Sequence, residues 1–152
     1  MDRITILMAD DDAEDRMMTG RALEANRGLG DLRFVEDGEE LMDYLMRRGK
    51  YVDPLTSPRP GIILLDLSMP KKDGHAALEE IKAHPEIRHI PIVVLTTSNV
   101  EEDIQLSYDR GANSFITKPD TYQGLVEAMK SFEEYWIETT TLPETTERQF
   151  LP

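Results

Sequence analysis

The sequence predicts an α/β fold, a doubly wound five-stranded parallel sheet with helices on both faces. Five short apolar segments of strand length alternate with five segments whose apolar residues recur at helical spacing. Strands that alternate with helices pair in parallel through right-handed crossovers, which place helices on both faces of the sheet. A chain of 152 residues has the size of one such domain.

The composition of the chain limits the classes of function it can have. Its 30 acidic and 17 basic residues give a net charge of -13, which repels a phosphate backbone and argues against nucleic-acid binding. Cysteine is absent, which excludes thiolate metal ligands and cysteine nucleophiles. The chain begins without a signal-peptide pattern and has no apolar run near the roughly 18 residues that span a bilayer. We therefore expect a cytoplasmic protein that does not bind membranes.

The first two strand and helix pairs lie in the N-terminal third of the chain. An apolar run at 3–9 predicts the first strand, which ends abruptly at the three carboxylates of residues 10–12. Apolar residues at helical spacing predict a helix over 13–26. Residues 32–35 predict the second strand, and a turn at 37–38 leads into a second helix.

The central strand is predicted from four consecutive apolar residues at 62–65, after a proline-containing loop at 49–61. A run without alternation is typical of a strand buried on both faces. Pro70 and the Asp73-Gly74 pair then break any regular structure. Asp66 is therefore expected at the carboxyl end of a central strand, where open α/β sheets bind their ligands.

The second half of the chain repeats the pattern. The expected elements are a helix at 74–84, a strand at 90–95, a helix at 101–110, a strand at 114–117 and a helix at 122–137. We expect residues 1–138 to form the folded domain. Residues 139–152 are rich in Thr, Glu and Pro, and we expect this extension to be disordered or to pack on a partner subunit.

Four of the five strands end in a chemically reactive side chain. These side chains are Asp10, Asp11, Asp66, Thr96 and Lys118. Because the carboxyl ends of parallel strands meet at one edge of a sheet, we expect these groups to form one site. Three carboxylates repel one another unless a cation lies among them, and oxygen ligands suit Mg²⁺. Lys118 and Thr96 would then hold a phosphoryl group on Asp66, so the site predicts phosphoryl transfer to a carboxylate.

Other polar side chains near these strand ends are expected to have structural roles. Asp12 is predicted to cap the first helix, and Glu14 and Asp15 to favour the positive end of that helix. The three histidines lie apart in the sequence without metal-ligand spacing, so we expect them at the surface or hydrogen-bonded in the core.

The reactive residues resemble the signature of a known family, the receiver domain of two-component response regulators. The matching positions are Asp10-Asp11, the segment 65–70, Asp73-Gly74, Thr96 and Lys118-Pro119, in that order. The resemblance covers about residues 3–138. The segments 70–74 and 95–98, the long loop before the third strand and the C-terminal extension are most similar to the single-domain regulators paired with phytochrome-type histidine kinases.

The resemblance implies a phosphorylation switch. Asp66 would accept a phosphoryl group from the phosphohistidine of a histidine kinase. Asp11, Asp66 and the backbone carbonyl of Ser68 would hold Mg²⁺, with Asp10 reaching the ion directly or through water. The residues expected to bind the phosphoryl group or to move with it are Thr96, Thr97, Lys118 and Phe115.

The resemblance also implies structural features. The expected strand order is 2-1-3-4-5, and the bond between Lys118 and Pro119 is expected to be cis. The switch would act through the fourth and fifth strands and the last helix. A homodimer is expected through the fifth strand and the last helix, and no catalytic turnover beyond the protein's own phosphorylation and dephosphorylation is expected.

Two other functions remain open from the sequence. Phosphatases of the haloacid dehalogenase class also use a strand-end Asp, a Thr, a Lys and Mg²⁺. They require a second Asp two residues after the nucleophile, where this chain has Ser68. A scaffold that binds partners without phosphorylation is the other alternative, although all the signature positions are intact.

Overall fold

The computed structural model describes residues 3–143 and consists of alternating strands and helices, as the sequence predicts. The strands are β1 (Ile4–Ala9), β2 (Gly30–Val35), β3 (Ile62–Leu65), β4 (Ile92–Thr96) and β5 (Ser114–Thr117). The α-helices are α1 (Ala13–Ala25), α2 (Gly38–Met46), α3 (Gly74–Ala83), α4 (Glu101–Asp109) and α5 (Tyr122–Phe132). A 3₁₀ turn at Gly49–Tyr51 follows α2, and the π-helical residues Glu133–Thr139 continue α5.

All five strands form one parallel sheet in the order β2-β1-β3-β4-β5, which confirms the predicted topology. The central strand β3 is completely buried, which explains why its sequence is apolar without alternation. The register pairs Ala9 with Leu65 and Leu65 with Val94. The carboxyl ends of the inner strands therefore lie at one edge of the sheet.

Alternate residues of the inner strands face two separate apolar cores. One core contains Leu7, Ile63 and Val94 from the sheet with Leu41, Leu45, Leu78 and Ile81 from α2 and α3. The other contains Ile6, Leu64 and Val93 from the sheet with Leu23, Leu125, Met129 and Phe132 from α1 and α5. The sheet is thus covered on both faces. Within residues 3–143, no helix is long and apolar enough to cross a membrane.

Side chains cap the first turn of four helices. The capping residues are Asp12 for α1, Asp37 for α2, Asp73 for α3 and Thr121 for α5. Asp12 accepts from the backbone N–H of Asp15 at 3.1 Å, which confirms its predicted role. Because each of these helices follows a strand, the caps hold the helix N-termini near the edge where the strands end.

The predicted ends of the elements differ from the observed ones mainly at β2, β4 and the last helix. β2 begins at Gly30 rather than at residue 32, because Gly30 and Asp31 pair with Ile4 and Thr5 of β1. β4 starts at Ile92, two residues later than predicted. The last helix continues to Thr139 by changing to π-helical geometry at Glu133. Pairing with a neighbouring strand decides where β2 and β4 begin, and the local sequence does not reveal this pairing.

The last helix, comprising α5 and the π-helical residues after it, is tied to the end of α1 by polar contacts. Asn26 Nδ2 donates to the carbonyl of Val126 at 2.9 Å, and the backbone N–H of Arg27 donates to Glu133 Oε2 at 3.1 Å. Arg27 also forms an ion pair with Glu138 at 2.9 Å. Burial raises the pKa of Glu133, although the backbone hydrogen bonds act against this shift. The C-terminal helical segment therefore packs on α1 through Glu133 as well as through apolar contacts.

The extension predicted at 139–152 is described as far as residue 143. In this part of the chain, Leu142 lies near the start of β3, where a Cβ on Gly61 would be 3.5 Å from Leu142 Cδ1. The beginning of the extension therefore folds back on its own domain. The expectation of disorder, or of packing on a partner subunit, lies for residues 144–152 outside the described part of the chain.

Candidate functional site

The strands fix the positions of the two central carboxylates. The backbone N–H of Asp10 donates to the carbonyl of Val35 at 3.1 Å, and that of Asp66 donates to the carbonyl of Ala9 at 3.0 Å. These bonds continue the sheet ladder one residue beyond the end of β1 and β3. One carboxylate oxygen from each of Asp10, Asp11 and Asp66 lies within 4.8 Å of the others. The structure thus brings together the three carboxylates that the sequence predicts.

The environment of these carboxylates favours a bound cation. Asp10 is fully buried and Asp66 nearly so, whereas Asp11 is exposed to solvent. Burial raises the pKa of Asp10, and the nearby charge of Asp66 acts in the same direction. Hydrogen bonds from Lys118 and from the backbone of Asp12 oppose this shift. A cluster of oxygen donors with one exposed member and excess negative charge fits a hard divalent ion.

The ammonium group of Lys118 lies among three carboxylates. Its Nζ is 2.6 Å from Asp10 Oδ2, 2.9 Å from Asp15 Oδ2 and 3.7 Å from Asp66 Oδ2. Burial acts to lower the pKa of Lys118, but the hydrogen bonds to Asp10 and Asp15 and the charge of Asp66 outweigh it, so this pKa is raised. Lys118 therefore stays positively charged beside Asp66. The sequence predicts that Lys118 shares one site with Asp10 and Asp66, but it assigns Asp15 only to the start of the first helix.

Thr96 lies at the end of β4, next to β5 in the sheet. The backbone N–H of Lys118 donates to the carbonyl of Thr96 at 2.6 Å, which links the two strand ends. The Thr96 hydroxyl is buried and has no hydrogen-bond partner among residues 3–143. An unpaired buried hydroxyl is costly, so it is available to a group that enters the site. The next residue, Thr97, is exposed.

The chain after Asp66 packs closely against the start of α3. A Cβ on Gly74 would lie 2.3 Å from the carbonyl oxygen of Asp66 and 2.6 Å from Leu67 Cα, so this position requires glycine. The backbone N–H of Gly74 donates to the carbonyl of Leu67 at 2.9 Å. The N–H of Ser68 is 3.4 Å from Asp66 Oδ1, and the Ser68 side chain is exposed. Gly74 therefore fixes the segment that positions the Asp66 carboxylate.

Two further predicted site residues, Phe115 and Pro119, lie on β5 and just after it. Phe115 is half-buried and packs against the core formed with α2 and α3. The bond between Lys118 and Pro119 is trans, since the described residues contain no cis peptide bond, and the predicted cis bond is wrong. Trans is the lower-energy form of an X–Pro bond by about 0.5–1 kcal/mol, and the resemblance alone indicated an exception.

Sequence reasoning also missed a hydrogen-bonded chain beside the site. Ser98 Oγ donates to Asp103 Oδ2 at 2.6 Å, and Asp103 Oδ1 is 3.2 Å from His75 Nε2. The hydrogen bond from Ser98, together with His75, lowers the pKa of Asp103. This chain connects the loop after β4 with α4 and with the first turn of α3. His75 and Asp103 are 28 residues apart, so only the tertiary structure reveals their contact.

The fold and the site together define a class of protein. A 2-1-3-4-5 parallel sheet that carries an acidic cluster, a threonine and a lysine at its carboxyl edge is the arrangement of a receiver domain. Residues 6–130 match the response regulator receiver domain family, and the chain belongs to this family. It is therefore a protein of two-component signalling.

Individual relatives connect the chain with phytochrome response regulators. It is 39% identical to the response regulator Rcp1 of Synechocystis sp. over 138 residues, which cover 91% of this chain and 92% of Rcp1. The crystal structure of phosphorylated RcpA, a cyanobacterial phytochrome response regulator, is similar with a TM-score of 0.87 and 40% identity, covering 94% of this chain and all of RcpA. RPA3017, a response regulator in red light signalling of R. palustris, gives a TM-score of 0.88 at 34% identity over 93% of this chain and 99% of that one.

Proposed function

We propose that Asp66 accepts a phosphoryl group from a histidine kinase and that the phosphorylated chain signals through a change in its surface. The observation that carries this proposal is the position of Asp66, which lies 3.7 Å from the Lys118 ammonium and within 4.8 Å of Asp10 and Asp11. Its carboxylate thus has a neighbouring positive charge and a cluster of oxygen donors. Both are needed to hold the charge of a transferring phosphoryl group.

The reaction transfers one phosphoryl group between two side chains. A carboxylate oxygen of Asp66 attacks phosphorus of the kinase's phosphohistidine, and the bond between phosphorus and the imidazole nitrogen breaks, leaving its electron pair on nitrogen. The product is an acyl phosphate. Hydrolysis reverses the modification, because water attacks phosphorus and the carboxylate leaves with the electron pair of the broken P–O bond. Lys118 stabilises the negative charge on the phosphoryl oxygens in both steps.

We assign the acidic cluster to Mg²⁺. Asp11, Asp66 and the backbone carbonyl of Ser68 would hold the ion, and Asp10 would reach it directly or through water. When bound, the ion would neutralise the charge that develops on the transferring oxygens. The donor set supports this assignment, since it consists of oxygen atoms only. The relative Rcp1 has been crystallised in a Mn²⁺-bound form, which is consistent with a divalent ion in this family.

The phosphoryl group would be read by the ends of β4 and β5. The Thr96 hydroxyl, which has no hydrogen-bond partner within residues 3–143, would donate to a phosphoryl oxygen, and Thr97 would move with its loop. Phe115, half-buried on the neighbouring strand, would adjust to the moved threonine. The switch would thus change the surface formed by β4, β5 and α5.

Similarity to RcpA and RPA3017 supports a phytochrome-type histidine kinase as the partner, acting in the cytoplasm. The chain would have no substrate of its own besides the phosphoryl group. A phosphatase of the haloacid dehalogenase class would need an acid and base two residues after Asp66, and Ser68 cannot supply one. The net charge of -13 supports a partner other than nucleic acid.

The proposal predicts that the chain incorporates one phosphoryl group from acetyl phosphate when Mg²⁺ is present and none when the metal is chelated. Borohydride reduction of the acyl phosphate followed by peptide mass spectrometry should place the group on Asp66. Mapping to another residue would contradict the proposed acceptor. Release of many equivalents of phosphate from small phosphate monoesters would instead favour the phosphatase.

We also propose a phosphorylation-dependent homodimer through β5 and α5. The support is that β5 is an edge strand of the sheet formed by residues 3–143, and that the rings of Tyr108 on α4 and Tyr122 on α5 are exposed on the helices that precede and follow β5 in the chain. Light scattering should give a higher mass with Mg²⁺ and beryllofluoride than without them. Substitution of Tyr122, the exposed tyrosine on α5, by serine should reduce this increase. An unchanged mass together with unchanged kinase binding would favour the scaffold.

A further inference from the structure

The Lys118 ammonium has more negative partners than the proposed reaction requires. Asp10 holds the ammonium and Asp66 accepts the phosphoryl group, but the second-shortest contact of Nζ, at 2.9 Å, is with Asp15 on α1. Asp15 lies in the first turn of α1, where the cap Asp12 accepts from its backbone N–H. The start of this helix therefore aims the Asp15 carboxylate at the lysine. Asp15 is not a member of the candidate metal cluster.

Asp10 and Asp15 differ in how easily they can release the ammonium. Asp10 is fully buried and its backbone is held in the sheet ladder, so it keeps its position. The Asp15 side chain is 39% exposed and lines a cavity of about 220 Å³ between α1 and the start of α5. Lys118 lines the same cavity, and its own side chain is only 9% exposed. Asp15 thus has space to turn away from Lys118, and Asp10 does not.

We infer that Asp15 is a positioning residue for Lys118. The Asp15 carboxylate competes with a phosphoryl group on Asp66 for the lysine ammonium. The inference rests on the proposed function. A phosphoryl group carries more negative charge than the carboxylate alone, so phosphorylation strengthens the attraction between the Lys118 ammonium and the Asp66 side chain. Of the two nearer partners of the ammonium, Asp10 and Asp15, the more exposed Asp15 is the one that loses its contact with Lys118. The contact between Asp15 and Lys118 therefore favours the unphosphorylated state and limits the stability of the phosphorylated one.

The affinity for beryllofluoride, a phosphoryl mimic, tests this competition at equilibrium. In the presence of Mg²⁺, Asp15→Asn should bind beryllofluoride about two- to fivefold more tightly than the wild type by calorimetry, a range set by the small net contribution of an ion pair with one solvent-exposed partner. Asp15→Glu keeps the charge and should restore an affinity near that of the wild type. Thermal unfolding should show that each variant is folded.

The matched control is Glu14→Gln. Glu14 is an exposed neighbour on the same turn, so its substitution removes the same charge without touching Lys118. If loss of a negative charge acts only by weakening the general repulsion of an anion, both variants should bind beryllofluoride more tightly. If it acts by removing the competition for Lys118, only Asp15→Asn should bind more tightly. In a Lys118→Met background the effect of Asp15→Asn should disappear, because the two substitutions are coupled only through the ammonium.

The possible outcomes separate the inference from the proposed function. Equal affinities of Asp15→Asn and Glu14→Gln would overturn the inference, and so would an Asp15→Glu variant that binds as tightly as Asp15→Asn. An effect that persists without Lys118 would show that Asp15 acts by another route and would also overturn it. A wild-type chain that does not bind beryllofluoride would contradict the proposed function itself.

Discussion

Replacement of Asp66 by asparagine should abolish phosphoryl incorporation from acetyl phosphate. The amide has the shape of the carboxylate but is not a nucleophile toward phosphorus, so no acyl phosphate can form. The variant should fold normally, because Asn can occupy the same nearly buried position at the end of β3. It should also bind Mg²⁺ at least about tenfold more weakly, since one of the carboxylates that would hold the ion is lost. Mass spectrometry and metal titration by calorimetry measure the two effects.

The matched control for this variant is Asp12→Asn. Asp12 is an exposed carboxylate two residues after Asp10, and asparagine caps a helix about as well as aspartate does. Phosphorylation of this control should therefore equal that of the wild type. Labelling of Asp66→Asn at the wild-type level would place the acceptor elsewhere. Loss of labelling in both variants would point to a general disturbance of the acidic loop after β1.

The carboxyl ends of the strands could be predicted from the sequence because a polar residue directly follows each apolar run. Once the alternation of strands and helices indicates a parallel sheet, Asp10, Asp66, Thr96 and Lys118 must lie at the same edge. No distance has to be known for this step. In the structure Lys118 lies beside Asp10 and Asp66, and Asp10, Asp11 and Asp66 form an acidic cluster at this edge.

Side chains on helices were harder to assign. Asp15 has an ordinary explanation as an acidic residue in the first turn of a helix, and this explanation hides its contact with Lys118. The spacing contained a signal, since α1 begins at Ala13, directly after the acidic residues that follow β1, and Asp15 lies in its first turn. The contact between His75 and Asp103 had no such signal, because it depends on how α3 packs beside α4.

Backbone details depended on information that a single sequence does not contain. The early start of β2 at Gly30 arises from pairing with β1, and Arg3 supports it through an ion pair with Asp31 at 2.7 Å. Glycine and aspartate are poor strand formers, so local preference makes the predicted strand begin two residues too late, at residue 32. The cis bond before Pro119 was predicted by resemblance alone, and the trans bond shows where such a transfer fails.

Substitution of Lys118 by methionine should destabilise the metal-free protein by about 3–5 kcal/mol at neutral pH, because it leaves the buried carboxylate of Asp10 without its countercharge. Methionine fills the space of the lysine side chain, so the loss reflects charge rather than volume. Urea unfolding in the presence of a chelator measures the difference. Lys50→Met is the matched control. Lys50 is 74% exposed and 3.3 Å from Glu40, so its loss should cost less than about 1 kcal/mol.

The pH dependence of this loss identifies its cause. Burial already raises the pKa of Asp10 in the wild type, and removal of Lys118 takes away the hydrogen bond and charge that oppose the rise. A carboxyl group with a raised folded-state pKa contributes stability below its unfolded pKa and loses it as the pH rises through the folded pKa. The gap between Lys118→Met and the wild type should therefore narrow in acid, where Asp10 is protonated, and widen toward neutral pH. A gap that stays constant with pH would mean that packing, and not the buried charge of Asp10, is what Lys118 stabilises.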